Sequence, residues 1–259
     1  MAKNIFDKFE GEFFENKNSD ILVLVMHGSR GRFTHNLQHS LYLGLKEKFS
    51  IFNFNFPGEI SKFTIDFELN CIYELIDYFS KEFSKIVLVG HSKSASDILC
   101  LQDKVFDKLY KCILIAPRID LNNSQEMKIY SENGEKEFIY PSKNVKQLIT
   151  KEYMDCVKKF RDIILNFNYP CKNFLIIYGL SDKVMETENY NEFVRDKNNF
   201  ELKGFENSDH MFSNEKYRNK MINFILNWIW DFNLFLSSSF NIWFCHIFSN
   251  WIKYCVSTR

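Results

Sequence analysis

Apolar runs alternate with amphipathic segments along most of the chain, and this alternation limits the folds that the chain can adopt. Segments such as THNLQHSLYLGLKEKF and FELNCIYELIDYFSKEF place apolar residues every three or four positions, which is typical of helices with one buried face. Several of the apolar runs are apolar on both faces, as in the central strands of a parallel sheet. The pattern therefore predicts an α/β fold with a mostly parallel, doubly wound sheet. The predicted strands are DILVLVMHG, FSIFNFNFPG, KIVLVG, KCILIAP, NFLIIYG and NFELKGFE.

The segment from about residue 121 to residue 169 breaks this alternation. It begins with a polar stretch and is too long for an ordinary connection between a helix and a strand. We expect it to hold its own helices and to form a cap inserted late in the sheet. Residues 1–231 are then one domain that includes this cap, and residues 232–259 form an apolar C-terminal tail. The N-terminal stretch IFDKFEGEFFEN is expected to add a short antiparallel hairpin at the sheet edge.

Charge and cysteine content exclude several classes of function. The chain has 33 basic and 33 acidic residues and no basic block, which argues against a nucleic-acid partner, because phosphate binding needs a concentrated positive field. Its 7 cysteines are scattered and do not form the paired motifs of a zinc site. The N-terminus is too charged for a signal peptide. We therefore expect a cytoplasmic protein with reduced thiols that needs no metal and no cofactor.

A serine stands between the third predicted strand and a predicted helix, in the stretch KIVLVGHSKSASDILCL. By itself, Ser92 fits an ordinary strand–turn–helix junction in which a serine caps the helix. It also fits a nucleophile elbow, a strained turn that holds a catalytic serine. In such a turn the residues two before and two after the serine must be small, and Gly90 and Ser94 meet this requirement.

Two further polar residues follow later predicted strands. Asp182 lies in YGLSDKVM after the fifth strand, and His210 lies in FENSDHMF after the sixth. Taken singly, they fit a turn aspartate and a loop histidine. A serine hydroxyl, however, needs a base to remove its proton, and the base needs a carboxylate to orient it. Because strand ends of a parallel sheet meet at one edge, the order Ser92, Asp182, His210 predicts a catalytic triad.

The same edge should also supply backbone N–H groups for a developing oxyanion. We expect one from Lys93 at the start of the helix and the other from Ser29, where Gly28 lets the backbone approach closely. His27 is expected to support this loop. A phosphate-binding loop is the alternative for HGSRGR, but the spacing of that motif is absent. The Lys93 side chain is expected to be a replaceable, solvated charge.

Together, HGSRG, GHSKSA, YGLSDKV and SDHMF resemble the oxyanion loop, nucleophile elbow, acid loop and histidine loop of the α/β-hydrolase superfamily. Within it, the chain is similar to small bacterial-type serine esterases, including feruloyl/cinnamoyl-esterase-like and serine-aminopeptidase-like hydrolases. The resemblance covers roughly residues 6–230 and implies an α/β-hydrolase fold with a helical cap and a triad of Ser92, Asp182 and His210. The chain departs from the usual pattern at Ser94, where a glycine is common, and in FNFNFPGEIS, which lacks an Arg and a Gly of the D-x-R-G-x-G-x-S segment.

These residues predict a serine hydrolase that cleaves a carboxylic ester of a small or medium acyl substrate through an acyl-enzyme intermediate. The same three residues fit a thioesterase or an amide or peptide hydrolase equally well. A binding protein on the same fold without catalytic activity is a further alternative, although an intact set of three catalytic groups argues against it.

The C-terminal tail contains FNLFLSSSFNIWFCHIFSNWI, a stretch without Asp, Glu, Lys or Arg. Its length could span a bilayer, but its Ser, Asn and His residues are costly in hydrocarbon. From Phe240 onward its apolar residues fall on one helical face, which fits an amphipathic helix. The alternatives are docking on its own domain, homodimerisation, binding to a membrane surface and spanning the membrane. Peripheral membrane contact would modify the expected cytoplasmic location.

Overall fold

The computed structural model describes residues 5–29, 31–58, 65–119, 130–140, 145–169, 173–185 and 187–230. The chain divides into two compact units, Met1–Ile222 and Asn223–Arg259. The second unit contributes only the end of one helix to the described residues. The tail and the first part of the predicted cap lie outside them, so the domain prediction stays a prediction. Among the described residues, no helix is long and apolar enough to cross a membrane.

Nine strands occur among the described residues. They are β1 (Gly11–Phe14), β2 (Ile21–Met26), β3 (Ser50–Phe54), β4 (Lys85–His91), β5 (Leu109–Ile115), β6 (Lys136–Tyr140), β7 (Val145–Ile149), β8 (Asn173–Gly179) and β9 (Phe200–Phe205). Seven of them form one sheet in the order β1-β3-β2-β4-β5-β8-β9. All neighbours in this sheet are parallel except β1 and β3, which confirms the predicted mostly parallel sheet.

The helices with defined bounds are α1 (Asn36–Leu45), α2 (Ile65–Phe79), α3 (Lys93–Leu99), α4 (Asp103–Phe106), α5 (Lys151–Leu165), α6 (Thr187–Val194) and α7 (Glu215–Trp230). Helices α1 and α2 lie where the two amphipathic segments predict them. The apolar residues of α1 at a spacing of four, Leu37, Leu41 and Leu45, are all buried. Every residue of β2 and β3 is also buried, as expected for strands that are covered on both faces.

Two segments differ from the expectation. The N-terminal stretch supplies one edge strand, β1, preceded by a short 3₁₀ turn at Ile5–Asp7, rather than a hairpin. Ile5 and Phe9 are buried in the core, so this stretch is anchored by packing instead of by a second strand. In the predicted cap, β6 and β7 form a separate antiparallel pair before helix α5. Whether this segment covers the site stays a prediction.

The carboxyl ends of the strands lie level with one another at one edge of the sheet. Met26 of β2 pairs with Gly90 of β4, and Gly90 pairs with Leu114 of β5. Farther along the sheet, Gly179 of β8 pairs with Phe205 of β9. The loops after these strands therefore emerge at the edge where open parallel sheets bind their ligands.

Candidate active site

Ser92 occupies the tight turn between β4, which ends at His91, and α3, which begins at Lys93. Its backbone has φ 53° and ψ −113°, and a non-glycine residue rarely adopts a positive φ. The backbone N–H of Ser92 donates to the carbonyl of Ile115 at 2.8 Å, which ties the turn to β5. Ser92 is nevertheless only 8% exposed. We call residues 90–94 the Ser92 turn.

The two small residues of the Ser92 turn have different roles. A Cβ atom at Gly90 would lie 2.6 Å from the backbone nitrogen of Ala95, so a larger residue does not fit there. Ser94 does more than leave space. Its Oγ accepts a hydrogen bond from the backbone N–H of His91 at 3.0 Å and lies 3.1 Å from the carbonyl oxygen of Met26. The hydroxyl thus connects the turn to the end of β2, which a glycine at this position could not do.

The structure brings the side chains of Ser92, His210 and Asp182 into one row. Nε2 of His210 lies 3.0 Å from Oγ of Ser92, and Nδ1 of His210 lies 2.8 Å from Oδ2 of Asp182. Asp182 follows β8 and His210 follows β9, so adjacent strands present the carboxylate and the imidazole. Ser92 comes from β4 on the far side of β5. The three residues therefore meet although they are far apart in the sequence.

The loops that carry Asp182 and His210 contact each other at a glycine. A Cβ atom at Gly179, the last residue of β8, would lie only 2.1 Å from the carbonyl oxygen of Ser208. The backbone N–H of Ser181 donates to the same carbonyl at 2.9 Å. The absence of a side chain at Gly179 therefore lets the two loops approach closely enough for the Asp182–His210 contact.

The environment of Asp182 favours its ionised form. Burial acts to raise the pKa of this carboxyl, but the hydrogen bond to His210, the His210 charge and two backbone N–H groups together lower it below the usual value. These N–H groups belong to Val184 and Met185 and donate to Oδ1 at 2.7 and 3.1 Å. An ionised Asp182 keeps the proton of His210 on Nδ1, so Nε2 is left to accept the hydroxyl proton of Ser92.

A second turn packs directly against Ser92. A Cβ atom at Gly28 would lie 3.1 Å from Cβ of Ser92, so this glycine permits the close approach that the sequence predicts. Ser29 follows it in the chain. His27 is buried, and its Nδ1 lies 2.9 Å from the carbonyl oxygen of Gly28. Because a helix does not use the N–H groups of its first turn internally, the N–H of Lys93, the first residue of α3, has no intrahelical partner.

The side chain of Lys93 is not the solvated charge that the sequence predicts. Its ammonium forms ion pairs with Glu68 of α2 and with Asp97 of α3, the latter at 3.1 Å. Both carboxylates are buried. Burial raises the pKa of Asp97, and the Lys93 charge opposes this effect. The sequence could not reveal this cluster, because Glu68 meets Lys93 only through the packing of α2 on α3.

Two further residues hold the loop of His210. Nε2 of His91 lies 2.9 Å from the backbone carbonyl oxygen of His210. Arg218, which is buried, donates to the carbonyls of Phe212 and Ser213 at 3.0 and 3.1 Å. No role is predicted from the sequence for His91 or Arg218. The position of His91 directly before Ser92 is the only sequence signal that points to it.

The chemistry available at this edge is proton transfer from a hydroxyl to an imidazole that a carboxylate orients. Such a row can remove the proton of Ser92 and stabilise the imidazolium that results. In the part of the chain that the structure describes, no group of three or more His, Cys, Asp and Glu side chains is placed to hold a metal ion.

Solved structures with similar architecture are enzymes of one fold. The ferulic-acid complex of Est1E from Butyrivibrio proteoclasticus matches with a TM-score of 0.69 at 16% identity, covering 85% of this chain and 94% of Est1E. A soluble variant of monoglyceride lipase from Saccharomyces cerevisiae gives a TM-score of 0.66 at 16% identity, covering 85% and 91%. An alpha-beta serine hydrolase homologue from Coxiella burnetii gives 0.55 at 14% identity, covering 84% and 96%. The chain has the α/β-hydrolase fold.

Comparison of sequences finds only a partial match for this chain. No family model matches it. A Mycoplasma pneumoniae protein, named provisionally as esterase/lipase 2, is 28% identical over 123 residues, which are 45% of this chain and 46% of the relative. The match thus spans about half the length of that relative. The structural neighbours confirm the α/β-hydrolase fold that the motifs indicate.

Proposed function

We propose that this α/β-hydrolase chain is a serine hydrolase that cleaves a carboxylic ester of a small or medium acyl substrate. The observation that carries the proposal is the hydrogen-bonded row from Ser92 Oγ to His210 Nε2 at 3.0 Å and from His210 Nδ1 to Asp182 Oδ2 at 2.8 Å. The positive φ of Ser92 supports it, because a strained residue at the tip of a strand–helix turn points to function rather than to stability.

In the proposed mechanism, Ser92 Oγ attacks the carbonyl carbon of the ester while His210 Nε2 takes the hydroxyl proton. The tetrahedral intermediate then collapses, and His210 passes the proton to the alcohol that leaves. A water molecule, activated by His210 in the same way, attacks the acyl-enzyme and releases the acid. Asp182 stays ionised throughout and stabilises the imidazolium, a role that its lowered pKa supports.

The proposed oxyanion donors are the backbone N–H groups of Lys93 and Ser29. Lys93 begins α3, so its N–H lies at the positive end of the helix dipole. Ser29 follows Gly28, whose contact with Ser92 supports a location close to the reacting carbonyl. His27 and Gly90 would act indirectly, the former by its contact with the Gly28 carbonyl and the latter by leaving room for α3.

A thioester, amide or peptide substrate would use the same row of residues. The names of the relatives favour an ester, since they include a monoglyceride lipase and a provisional esterase/lipase. A binding protein without activity remains the alternative from another class. Several expectations from the sequence stay predictions. They are a small-molecule ester as partner, the absence of a nucleic-acid partner, a cytoplasmic location, and dimer or membrane contact through residues 232–259.

The decisive experiment uses the purified full chain and p-nitrophenyl esters of increasing acyl length. We expect the wild type to turn over these esters and to be labelled by a fluorophosphonate. Ser92→Ala should lose both turnover and labelling. Ser80→Ala, at a serine remote from the row, is the matched control and should keep both. Turnover by a folded Ser92→Ala variant would overturn the assignment of the nucleophile. Failure of the wild type to react with any ester, thioester or probe would favour the binding protein.

A further inference from the structure

Two consecutive residues of the Ser92 turn contact the same histidine. Ser92 Oγ lies 3.0 Å from the side-chain Nε2 of His210, and the Nε2 of His91 lies 2.9 Å from the backbone carbonyl oxygen of His210. The rings of His91 and His210 are tilted by 52° with their centroids 5.1 Å apart. The proposed nucleophile and base are thus connected both through the reacting atoms and through a second contact beside them.

The second contact determines which ring nitrogen of His91 carries a proton. A backbone carbonyl can only accept a hydrogen bond, so the Nε2 atom of His91 must carry a proton. On the other side of the ring, a Cβ atom at Gly28 would lie 2.9 Å from Nδ1 of His91. The His91 ring is therefore packed between the turn that carries Gly28 and the backbone of His210, and it is only 3% exposed.

The loop of His210 needs such external support. Asn207 and Phe212, which lie on either side of His210, both have a positive φ, at 52° and 49°. Asparagine adopts a positive φ fairly readily, but phenylalanine rarely does, and a residue strained in this way persists only where surrounding contacts determine its conformation. The Ser208 carbonyl and the Phe212 carbonyl are held by Ser181 and Arg218. At His210 itself, the carbonyl is held by His91.

We infer that His91 is a positioning residue for the proposed ester hydrolysis. Its hydrogen bond fixes the backbone of His210 relative to the Ser92 turn, so that Nε2 of His210 faces Ser92 Oγ. Asp182 holds the imidazole of His210 at Nδ1, and His91 holds the backbone from which that ring extends, so the ring is fixed at both ends relative to Ser92. The inference rests on the proposed function, since it concerns the rate of the reaction that Ser92 and His210 carry out.

Three substitutions test the role of the hydrogen bond. The amide nitrogen of glutamine can occupy the position of the histidine Nε2, whereas that of asparagine reaches only as far as Nδ1. We expect His91→Gln to keep at least roughly a third of the wild-type kcat, while His91→Asn and His91→Leu lose about 10- to 100-fold in kcat with little change in KM. His39→Asn, at a half-exposed histidine, is the control.

The measurement must separate positioning from folding. Titration with a fluorophosphonate gives the concentration of competent sites, and kcat is then expressed per titrated site. A purely structural His91 would lower the number of sites or the melting temperature but leave kcat per site unchanged, and this result would overturn the inference. Equal losses in His91→Gln and His91→Asn would also overturn it, because the donor position would then be irrelevant.

A measurement on the wild-type protein covers the case in which a variant does not fold. Long-range ¹H–¹⁵N NMR of histidine-labelled protein distinguishes the two neutral tautomers, and His91→Gln assigns the His91 signals. The inference requires the proton on Nε2 of His91, so an Nδ1-protonated ring would refute it. These outcomes differ from failure of the proposed function. That failure would show as a lack of ester turnover by the wild type or as turnover by Ser92→Ala.

Discussion

The hydroxyl of Ser94 lies 3.1 Å from the carbonyl oxygen of Met26, so the turn that carries Ser92 is joined to the end of β2 by a side chain. The same hydroxyl accepts a hydrogen bond from the backbone N–H of His91, the residue before Ser92. The G-x-S-x-G pattern of a nucleophile elbow has glycine at this position, where only a small size is needed. In this chain the departure from that pattern adds two buried contacts to the strained turn.

Removal of the Ser94 hydroxyl should therefore reduce stability. Ser94→Ala removes the hydrogen bond that the hydroxyl accepts from the His91 N–H, and losing one hydrogen bond typically costs about 0.5–1.5 kcal/mol in the free energy of unfolding. Ser94→Gly should cost a further ~0.5–1 kcal/mol, because glycine weakens the first turn of α3. Urea denaturation followed by circular dichroism measures both, with Ser80→Ala as the control. An unchanged urea midpoint in Ser94→Ala would show that the contacts do not contribute to stability.

Lys93 should be irreplaceable by an apolar residue. In Lys93→Met, the buried carboxylates of Glu68 and Asp97 lose the ammonium group that contacts both of them, at 3.1 Å from Asp97. Breaking a buried ion pair in this way typically destabilises a protein by about 3–5 kcal/mol. Lys93→Arg keeps the charge and should lose less. Urea denaturation of the two variants beside the wild type tests this, and a fully stable Lys93→Met would support the original expectation of a replaceable side chain.

The Lys93→Met defect should also depend on pH. Burial raises the pKa of Asp97 in the folded protein. Ionising this carboxyl therefore lowers the free energy of unfolding once the pH rises above the pKa of an unfolded aspartate, about 3.9. Without the Lys93 charge this loss of stability increases. The difference in unfolding free energy between the wild type and Lys93→Met should therefore be large at neutral pH and smaller in acid. Lys93→Met/Asp97→Asn should recover part of the loss at neutral pH.

The strand ends explain why much of the site is predictable from the sequence. Ser92, Asp182 and His210 each follow an apolar run, and parallel register brings the ends of those runs to one edge. The contacts of Lys93 and His91 are not predictable in this way, because they depend on how helices and loops pack after the sheet has formed. The short strands β6 and β7 escape prediction for a different reason. Their sequences, KEFIY and VKQLI, show neither a strict alternation of apolar and polar residues nor a continuous apolar run.

Replacement of the proposed orienting carboxylate should lower the rate without removing the nucleophile. In Asp182→Asn the amide no longer holds the His210 proton on Nδ1 by charge, so Nε2 is less available as a base. By analogy with the Ser-His-Asp triad of serine proteases, kcat should fall by roughly 10⁴-fold while KM changes little. Steady-state kinetics on a p-nitrophenyl ester measure the effect. A fall of less than tenfold in folded protein would argue that another group orients His210.

The same carboxylate makes stability depend on pH. Burial opposes ionisation of Asp182, but His210 and the backbone N–H groups lower its pKa on balance. A carboxyl with a lowered folded pKa contributes stability above the unfolded value of about 3.9 and loses it as the pH falls through the lowered value. The stability difference between the wild type and Asp182→Asn should thus shrink below about pH 4. A difference that is constant with pH would contradict this account of Asp182.

The glycine at the end of β8 offers a test of the contact between the two loops. In Gly179→Ala the new methyl group would lie 2.1 Å from the Ser208 carbonyl oxygen, so the loops of Asp182 and His210 must move apart. Because a displacement of about 1 Å can cost 10²-fold in rate, we expect kcat to fall about 10- to 100-fold. Gly204→Ala is the matched control: its Cβ would meet only side-chain atoms of Tyr178 and Leu180, at 3.2 Å or more, and it should keep most of the activity. Similar kcat values for the two variants would mean that the close approach at Gly179 does not position the proposed base.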